Sequence, residues 1–433
     1  MALPHLTGTD RRIVRLALPA LGTLAAEPLY RLVDTAIVGR LGTEELGGLA
    51  VAVSILALVI AGSNFLAYGT TERMARRLGA GDERGAANVG VQAMWLGVFI
   101  GIAAVPLLIV LARPLTSLLG AEGRVLDLGT QYLQISAFGV PFVISGLAAQ
   151  GVLRGVSDYD TPLRILIISN AVNLVVELIF VFGFGLGVPG AAWSTVIAQV
   201  GAGIAFVRLV QPQLAAAADR RPHWAEMAPL LSAGRHLLLR VGSMLAVFTG
   251  STAIAVRIDD ATLAAHQITL TMFFFLALSL DALAVPAQTL VAEELGGGDP
   301  REAQRVARRV VVLSLWTAGA IAGLLALASP LLARVFSADE AVVSRATTGL
   351  LLLAVLLIPG AVAFAYDGVL IGAGDYRFLG LAAFGYLLAV APIAVVVLAV
   401  PELGLAGIWI GLIFWMVIRA VVNHLRARAI VWS

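Results

Sequence analysis

The chain of 433 residues contains no cysteine and no lysine, and all 29 of its basic residues are arginine. Without cysteine it can form neither disulfides nor thiolate metal sites, and thiol catalysis is excluded. Without lysine it has no GxxxxGKS/T phosphate loop and no lysine Schiff base, so it neither hydrolyses ATP through such a loop nor carries retinal. Its five histidines are scattered, and HExxH and GxSxG are absent. We therefore expect no enzymatic activity.

Charged residues are also scarce, at 13% of the chain, whereas 60% of the residues are hydrophobic and the mean hydropathy is +0.94. Soluble domains are about 45–50% apolar and about 25% charged. The composition therefore indicates an integral membrane protein, and the net charge of +2 argues against nucleic acid as a partner. At about 20 apolar residues per spanning helix, the length allows about twelve crossings.

Twelve apolar stretches, bounded by charged residues or by Gly/Pro clusters, predict the spanning helices. They lie at 13–39, 46–72, 88–111, 125–153, 163–186 and 189–210, and then at 228–256, 262–292, 306–333, 343–371, 378–400 and 403–425. We predict an all-α integral membrane fold of twelve transmembrane helices in two six-helix lobes. The N-terminal lobe spans 1–211, a cytoplasmic linker spans 212–226, and the C-terminal lobe spans 227–433.

The distribution of arginines predicts the orientation. The side that carries the N-terminus holds 21 arginines, the opposite side holds six, and two lie within spanning segments. By the positive-inside rule, both termini are cytoplasmic and the loops at 112–124 and 334–345 are external. We expect a multi-pass protein of the cell (inner or plasma) membrane, in contact with membrane lipid.

An internal duplication is visible in the sequence. The stretch Leu78–Asp82 (LGAGD) recurs as Leu295–Asp299 (LGGGD), and the same ungapped offset of 217 residues relates Arg40 to Arg257 and two further clusters. Because six helices is an even number, the two lobes should share one orientation and be related by a pseudo-two-fold axis along the membrane normal. Transporters of this build place the substrate path between their lobes. Both glycine-rich stretches are interpreted as helix ends followed by turns.

Six polar side chains stand out within the apolar segments of the first lobe: Glu27, Arg31, Asp34, Asn173, Glu177 and Thr195. Charges inside a bilayer are costly and usually face a cavity or a partner. Helical spacing places the first three on one face, and places Asn173 and Glu177 one turn apart. At about 1.5 Å per residue, Asp34, Glu177 and Thr195 lie at a similar depth in the outer half of the lobe.

The duplication indicates whether these residues have a purely structural role, which would be expected in both lobes. The offset maps the four residues Asp34, Asn173, Glu177 and Thr195 onto Ser251, Val390, Ala394 and Leu412, so the constellation occurs in one lobe only. The second lobe has its own acids, Asp281 and Asp367, which align with Asn64 and Gln150. We interpret these last four positions as polar sites that line a cavity.

Structural alternatives exist for each residue taken alone. Glu27, Arg31 and Asp34 could form a patch that neutralises itself, and Asn173 could hydrogen-bond between helices. Thr195 alone would more often bond to its own helix backbone. The coincidence of two acids and a hydroxyl at one depth favours the functional interpretation.

Several stretches resemble multidrug and toxic-compound extrusion (MATE) transporters of the DinF-like branch, in the expected order and across essentially the whole chain. They are EPLYRLVDTA at 27–36, LGAGD at 78–82, LRGVSDYDTP at 153–162, NLVVELIFVFGFGLGVPGAAWSTVIAQ at 173–199, AAHQI at 264–268 and DGVLIGAGD at 367–375. The resemblance implies two helical bundles around a central cavity. It also implies efflux of organic, often cationic, compounds driven by H⁺ or Na⁺.

The resemblance further implies roles for individual residues. Asp34, Asn173, Glu177 and Thr195 correspond to a site for H⁺ or Na⁺. The six residues that we expect to line the substrate cavity are Glu27, Arg31, Asn64, Gln150, Asp281 and Asp367. The chain departs from the family pattern at Glu177-Leu178, where the family usually has aspartate, often followed by proline, so we expect a longer acidic arm on an unkinked helix. Arg31 is a second departure, since it places a competing charge near Asp34.

The sequence thus predicts a cation-coupled antiporter that needs no cofactor beyond the coupling ion and acts as a monomer on a small organic substrate. The nearest alternative is a lipid-linked precursor flippase of the same superfamily, although such a protein should carry a basic cavity for a pyrophosphate. A major-facilitator transporter would carry a GxxxDRxGRR-type loop, which is missing. An intramembrane enzyme would need a nucleophile or metal constellation. A purely structural membrane protein is disfavoured by the acidic cluster in one lobe.

Overall fold

The computed structural model describes residues 7–431, and within that range the chain forms helices joined by short turns, with no strand. Six long helices form the first half: α1 Gly8–Val38, α2 Thr43–Gly79, α3 Glu83–Leu118, α4 Gly123–Gly155, α5 Asp160–Gly183 and α6 Gly187–Leu209. Six form the second half: α7 Trp224–Ile258, α8 Asp260–Gly296, α9 Pro300–Phe336, α10 Glu340–Gly372, α11 Tyr376–Ala399 and α12 Gly404–Val431.

Eleven of these helices in the described range, α2 to α12, are long and apolar enough to cross a membrane. Helix α1 has 31 residues, which correspond to about 46 Å, but its charged side chains make it less apolar than the others. The predicted all-α membrane fold is therefore confirmed, and the described residues contain the twelve expected helices.

Three helices in the first half change their geometry along their length. Helix α2 is interrupted at Asn64, and α4 contains a 3₁₀ turn at Ala137–Gly139. Helix α5 widens into a π-helical turn at Ile179–Gly183, where the Phe184 amide donates to the carbonyl oxygen of Ile179 at 2.9 Å. The sequence predicted an unkinked helix because proline is missing after Glu177, and the structure adds a π turn, which changes the helical geometry without proline.

The duplication appears in the structure as repeated local geometry. Gly81 and Gly298 both adopt a positive φ, of 73° and 75°, where their helices end. Asp82 and Asp299 then cap the next helix, each accepting a hydrogen bond from the amide three residues later, at 2.8 and 2.9 Å. Such carboxylate caps satisfy amides that have no partner within the helix. The two glycine-rich stretches are thus helix ends followed by turns, as the sequence indicated, and the structure shows in addition that the aspartate of each turn caps the next helix.

The same offset relates two close helix contacts. A Cβ atom at Gly151 in α4 would lie 2.7 Å from the carbonyl oxygen of Ala67 in α2. A Cβ atom at Gly368 in α10 would lie 2.2 Å from the carbonyl oxygen of Ala284 in α8. Only glycine permits backbones to approach this closely. The α2–α4 packing is therefore repeated in α8–α10.

The chain divides into two compact units. The N-terminal unit comprises Gly22–Gly234, and the C-terminal unit comprises the residues from Arg235 onwards together with those up to Leu21. The sequence placed the division in a linker at 212–226, whereas the boundaries of the units lie inside α1 and α7. The reason is that both helices continue without interruption through those points.

The predicted linker packs on the N-terminal unit. The Gln92 side-chain amide donates to the carbonyl oxygen of Arg221 at 2.8 Å, and the Trp95 indole donates to that of Arg220 at 2.7 Å. These side chains on α3 satisfy backbone groups of the connector, which has little regular structure of its own.

Candidate functional site

Four polar side chains that the sequence singled out form one buried cluster in the N-terminal unit. Asp34 comes from α1, Asn173 and Glu177 from α5, and Thr195 from α6. Their exposed fractions are 2%, 2%, 0% and 6%, respectively. The agreement in depth inferred from sequence therefore corresponds to spatial proximity, which the hydrogen bonds below define.

The Thr195 hydroxyl is the centre of the cluster. It donates to the carbonyl oxygen of Ala191 at 3.0 Å, one turn earlier in α6. Because its single proton is used there, its oxygen can accept from neighbours. The nearest is the Tyr30 hydroxyl at 2.8 Å, followed by Asn173 Nδ2 at 3.4 Å and the Tyr132 hydroxyl at 3.5 Å. One threonine thus connects α1, α4, α5 and α6.

The acidic part of the cluster lacks hydrogen-bond donors. The carboxyl groups of Asp34 and Glu177 lie within hydrogen-bonding range of each other, so they can share a hydrogen bond only when one of them carries a proton. Asp34 Oδ1, Asn173 Oδ1 and both carboxyl oxygens of Glu177 are buried and accept no hydrogen bond from any described residue. Buried oxygens of this kind are costly unless something supplies positive charge or a proton.

The donor set of this cluster fits either a proton or a hard cation. Two carboxylates, an amide and a hydroxyl supply oxygen ligands only, and oxygen is the atom that hard cations prefer. Among the described residues no group of three or more His, Cys, Asp or Glu side chains is arranged to hold a metal ion. A bound Na⁺ would therefore depend on the amide and hydroxyl oxygens as well as on the two carboxylates.

Two tyrosines in the cluster were missed by the sequence reasoning. Tyr30 lies four residues before Asp34 on α1, so the helical spacing that grouped the charged residues of this face could have identified it. Tyr132 lies on α4, which carries no other residue of the predicted cation site, and it gave no signal in the sequence. Both hydroxyls reach Thr195 only because the helices pack together.

A cavity of about 320 Å³ adjoins the cluster within the N-terminal unit. This volume lies within the range of small-molecule sites. Three residues of the cluster line it, together with four of the six residues predicted to face substrate: Asp34, Asn173, Thr195, Glu27, Arg31, Asn64 and Gln150. Its wall also includes aromatic rings, among them those of Tyr68, Phe142 and Phe206. The cavity wall therefore combines apolar side chains and aromatic rings with many polar and charged groups, among them Asp34.

Two arginines lie in the cavity wall. Arg31 forms an ion pair with Glu27 one turn earlier on α1. Arg154 on α4 donates to the side-chain oxygen of Gln150 at 3.1 Å. The cavity thus contains charges of both signs.

The remaining two predicted cavity residues, Asp281 and Asp367, lie in the C-terminal unit, outside this cavity. Asp367 is buried and accepts hydrogen bonds from Arg240 on α7 and from Arg419 and Asn423 on α12. Asp281 lies within electrostatic range of both guanidinium groups. The structure therefore gives Asp367 three protein donors and makes it part of a buried ion-pair network.

Arg419 corrects one detail of the sequence interpretation. It was counted with the cytoplasmic arginines near the C-terminus, but it is buried within α12. Its guanidinium lies 5.0 Å from the ring centre of Phe364 and 5.5 Å from that of Trp415. A buried arginine is stabilised by an acidic partner and by aromatic faces. Packing of α10 against α12 supplies Asp367 and Phe364, whereas Trp415 lies one turn earlier on α12 itself.

Comparison with known proteins gives one consistent result. The model of the MatE family matches residues 19–179 and 243–396. Protein DETOXIFICATION 44, chloroplastic, of Arabidopsis thaliana is 31% identical over 98% of this chain and 83% of its own length. DNA damage-inducible protein F of Escherichia coli (strain K12) is 25% identical over 97% of this chain and 92% of its own.

Solved structures show the same fold. A crystal structure of a MATE protein in the bent conformation matches with a TM-score of 0.92 at 21% identity, covering 98% of this chain and 96% of that one. The match of the family model to most of the chain agrees with the twelve helices, the duplication and the buried polar cluster described above. The chain is therefore a multi-pass membrane protein that belongs to the MATE family of multidrug and toxic-compound efflux transporters.

Proposed function

We propose that this chain is a cation-coupled antiporter that exports organic, cationic or amphipathic compounds by alternating access. The coupling ion, H⁺ or Na⁺, binds at Asp34, Asn173, Glu177 and Thr195, and the substrate binds in the adjoining cavity. The protein acts as a monomer in the cell membrane, with both termini in the cytoplasm.

The observation that carries the proposal is the group of buried oxygens without donors at the end of the cavity. Asp34 Oδ1, Asn173 Oδ1 and the Glu177 carboxyl oxygens accept no hydrogen bond from the described residues. A merely structural polar cluster would satisfy its own acceptors, since nearly all buried polar groups in proteins are paired. A transported cation would complete the site.

Electrostatic repulsion between the two acids then couples ion binding to the conformation of the protein. Asp34 and Glu177 repel each other when both are ionised, and a proton or Na⁺ relieves that repulsion. Because Asp34 lies on α1 and Glu177 on α5, the occupancy of the site changes the force between these two helices. Antiport requires that ion and substrate stabilise different conformations. A site shared between helices that also line the substrate cavity supplies this difference.

The test is efflux of a cationic dye from proteoliposomes that contain the purified protein. A pH gradient and a Na⁺ gradient are imposed separately, and at least one of them should drive efflux. If neither gradient drives efflux of any organic cation from a folded preparation, the chain is not a cation-coupled antiporter.

Asp34→Asn tests the site itself. The isosteric amide cannot gain or lose the charge that couples ion to substrate, so we expect coupled efflux to be abolished while folding and insertion are kept. Gel filtration and thermal unfolding provide the folding control. Efflux at a near wild-type rate in Asp34→Asn would show that the coupling ion binds elsewhere.

A further inference from the structure

Arg31 occupies an unusual position on the cavity wall, between two acids on the same helix face. Glu27 lies four residues before it and Asp34 three residues after it on α1. All three side chains line the same cavity. Side chains three or four residues apart on a helix have Cβ atoms about 5–6 Å apart. The long arginine side chain can therefore reach either carboxylate.

The present partner of Arg31 is Glu27, and the pair is easily broken. The two side chains are in direct contact, but Glu27 remains 53% exposed and Arg31 39% exposed. Ion pairs with this degree of exposure contribute little to stability. A ligand that offers Glu27 a second cation can therefore compete with Arg31.

The alternative partner of Arg31 is Asp34, a buried acid whose described neighbours supply no positive charge. Asp34 Oδ1 is buried and accepts no hydrogen bond from the described residues, and the neighbouring acid is Glu177. The other groups that face Asp34 are the hydroxyls of Tyr30 and Tyr132, which carry no positive charge. The nearest tethered cation on α1 is thus Arg31.

We propose that Arg31 is a tethered cation that alternates between Glu27 and Asp34, and that through this exchange the coupling ion and a cationic substrate each weaken the binding of the other. The inference rests on the proposed function and identifies the residue that links its two sites. Arg31 acts as a positioning and coupling residue, and Glu27 is the acid that binds the positive group of the substrate.

The exchange keeps the charge of the α1 face balanced in both states. With the coupling ion on Asp34, Arg31 pairs with Glu27, and no acid of this face is available to a cationic substrate. When a substrate cation pairs with Glu27, the Arg31 guanidinium is displaced from it, swings towards the opposite end of this face and pairs with Asp34, and the ion leaves. Each ligand thus expels the other through the same guanidinium, as reciprocal coupling requires.

The test measures binding of ethidium, a fluorescent organic cation, to the purified protein, with the driving ion (H⁺ or Na⁺) either scarce or saturating. In the wild type we expect saturating ion to weaken ethidium binding about tenfold, a typical size for coupling between two sites. In Arg31→Gln the weakening should fall below about threefold, because ion and ethidium then bind together. Arg31→Met should behave in the same way, and thermal unfolding checks that both variants are folded.

Glu27→Gln supplies the converse test. It removes the present partner of Arg31, which should then stay on Asp34 and lower the affinity for the coupling ion about tenfold. The double variant Glu27→Gln/Arg31→Gln should restore that affinity to within about threefold of the wild type. Arg113→Gln is the matched control, because Arg113 pairs with Asp127 at 2.8 Å in an exposed contact outside this cavity. It should change neither affinity.

The outcomes separate this inference from the proposed function. If Arg31→Gln keeps the full antagonism of the wild type, or if the double variant fails to restore ion affinity, Arg31 is not the link and the inference is overturned while the antiporter proposal stands. If the wild type shows no antagonism between ion and ethidium at any pH or Na⁺ concentration, both proposals fail together.

Discussion

Replacing Thr195 with valine is the most informative single perturbation of the buried cluster. Valine has nearly the same shape as threonine, so the substitution removes the hydroxyl without opening a cavity. The hydroxyl oxygen is the acceptor that the Tyr30 hydroxyl meets at 2.8 Å, and Asn173 Nδ2 and the Tyr132 hydroxyl lie at 3.4 and 3.5 Å. The short contact with Tyr30 should therefore dominate the effect.

The expected loss in the free energy of unfolding follows from the donors that no longer have the Thr195 oxygen as an acceptor. A buried donor that loses its only partner costs about 1–3 kcal/mol. Tyr30 loses its short bond outright, whereas the two longer contacts contribute less because hydrogen bonds near 3.5 Å are weak. We expect Thr195→Val to lower the free energy of unfolding by about 2 kcal/mol. The Thr195 proton itself adds little, since it only bonds back to its own helix.

The assay is unfolding of the purified protein in detergent, combined with efflux. Thr195→Ser keeps the hydroxyl and should retain most of the stability. Thr71→Val is the matched control, because the Thr71 hydroxyl contacts only backbone carbonyl oxygens, those of Ala67 on its own helix at 2.8 Å and of Gly151 on α4 at 3.3 Å. It should cost less than Thr195→Val.

A double-mutant cycle isolates the critical contact. Tyr30→Phe removes the donor that Thr195→Val leaves unpaired, so the double variant should be more stable than the sum of the single effects predicts, by about 1 kcal/mol. Strictly additive effects, or a Thr195→Val protein as stable as the wild type, would refute the assignment of Thr195 as the centre of the cluster. Efflux should fall in Thr195→Val under either gradient, because the oxygen ligand set of the proposed site loses one member.

Two further predictions concern the C-terminal unit and the orientation. Asp367→Asn removes the charge that pairs with Arg240 and Arg419, so it should destabilise the protein by about 3–5 kcal/mol. Denaturant unfolding measures this loss of stability. A change smaller than about 1 kcal/mol would mean that the ion-pair network does not hold α7 and α12 to α10. A cysteine introduced near Arg334 should react with a membrane-impermeant maleimide added outside intact cells, which the absence of natural cysteines makes unambiguous; protection from the external reagent together with labelling in inverted vesicles would reverse the predicted topology.

The structure changes the expected role of Asp367. The sequence aligned it with Gln150 and assigned both to the lining of a substrate cavity. Gln150 does line the cavity of the N-terminal unit, whereas Asp367 is bonded to two arginines and an asparagine. The two positions are equivalent in the repeat, but their surroundings differ. Equivalent positions of the two lobes therefore carry polar groups with different partners.

The sequence by itself predicted the helices, the duplication and the polar side chains that form the buried cluster. Hydropathy alone identifies membrane helices because each must satisfy its own backbone and present apolar side chains to lipid. The turns capped by Asp82 and Asp299 were readable because they depend on neighbours within a few residues. The rarity of acids in such segments made Asp34 and Glu177 conspicuous.

Only the tertiary structure decided which groups meet. The Tyr132 hydroxyl on α4 contacts Thr195 of the cluster, and Arg419 pairs with Asp367, which lies 52 residues earlier in the sequence. Neither contact has a local signature, because it depends on how helices rotate and pack against one another. The boundaries of the two compact units could not be predicted from the sequence either, because α1 and α7 continue unbroken through those boundaries. Local propensity specifies where a helix begins and ends, whereas side-chain packing specifies its neighbours.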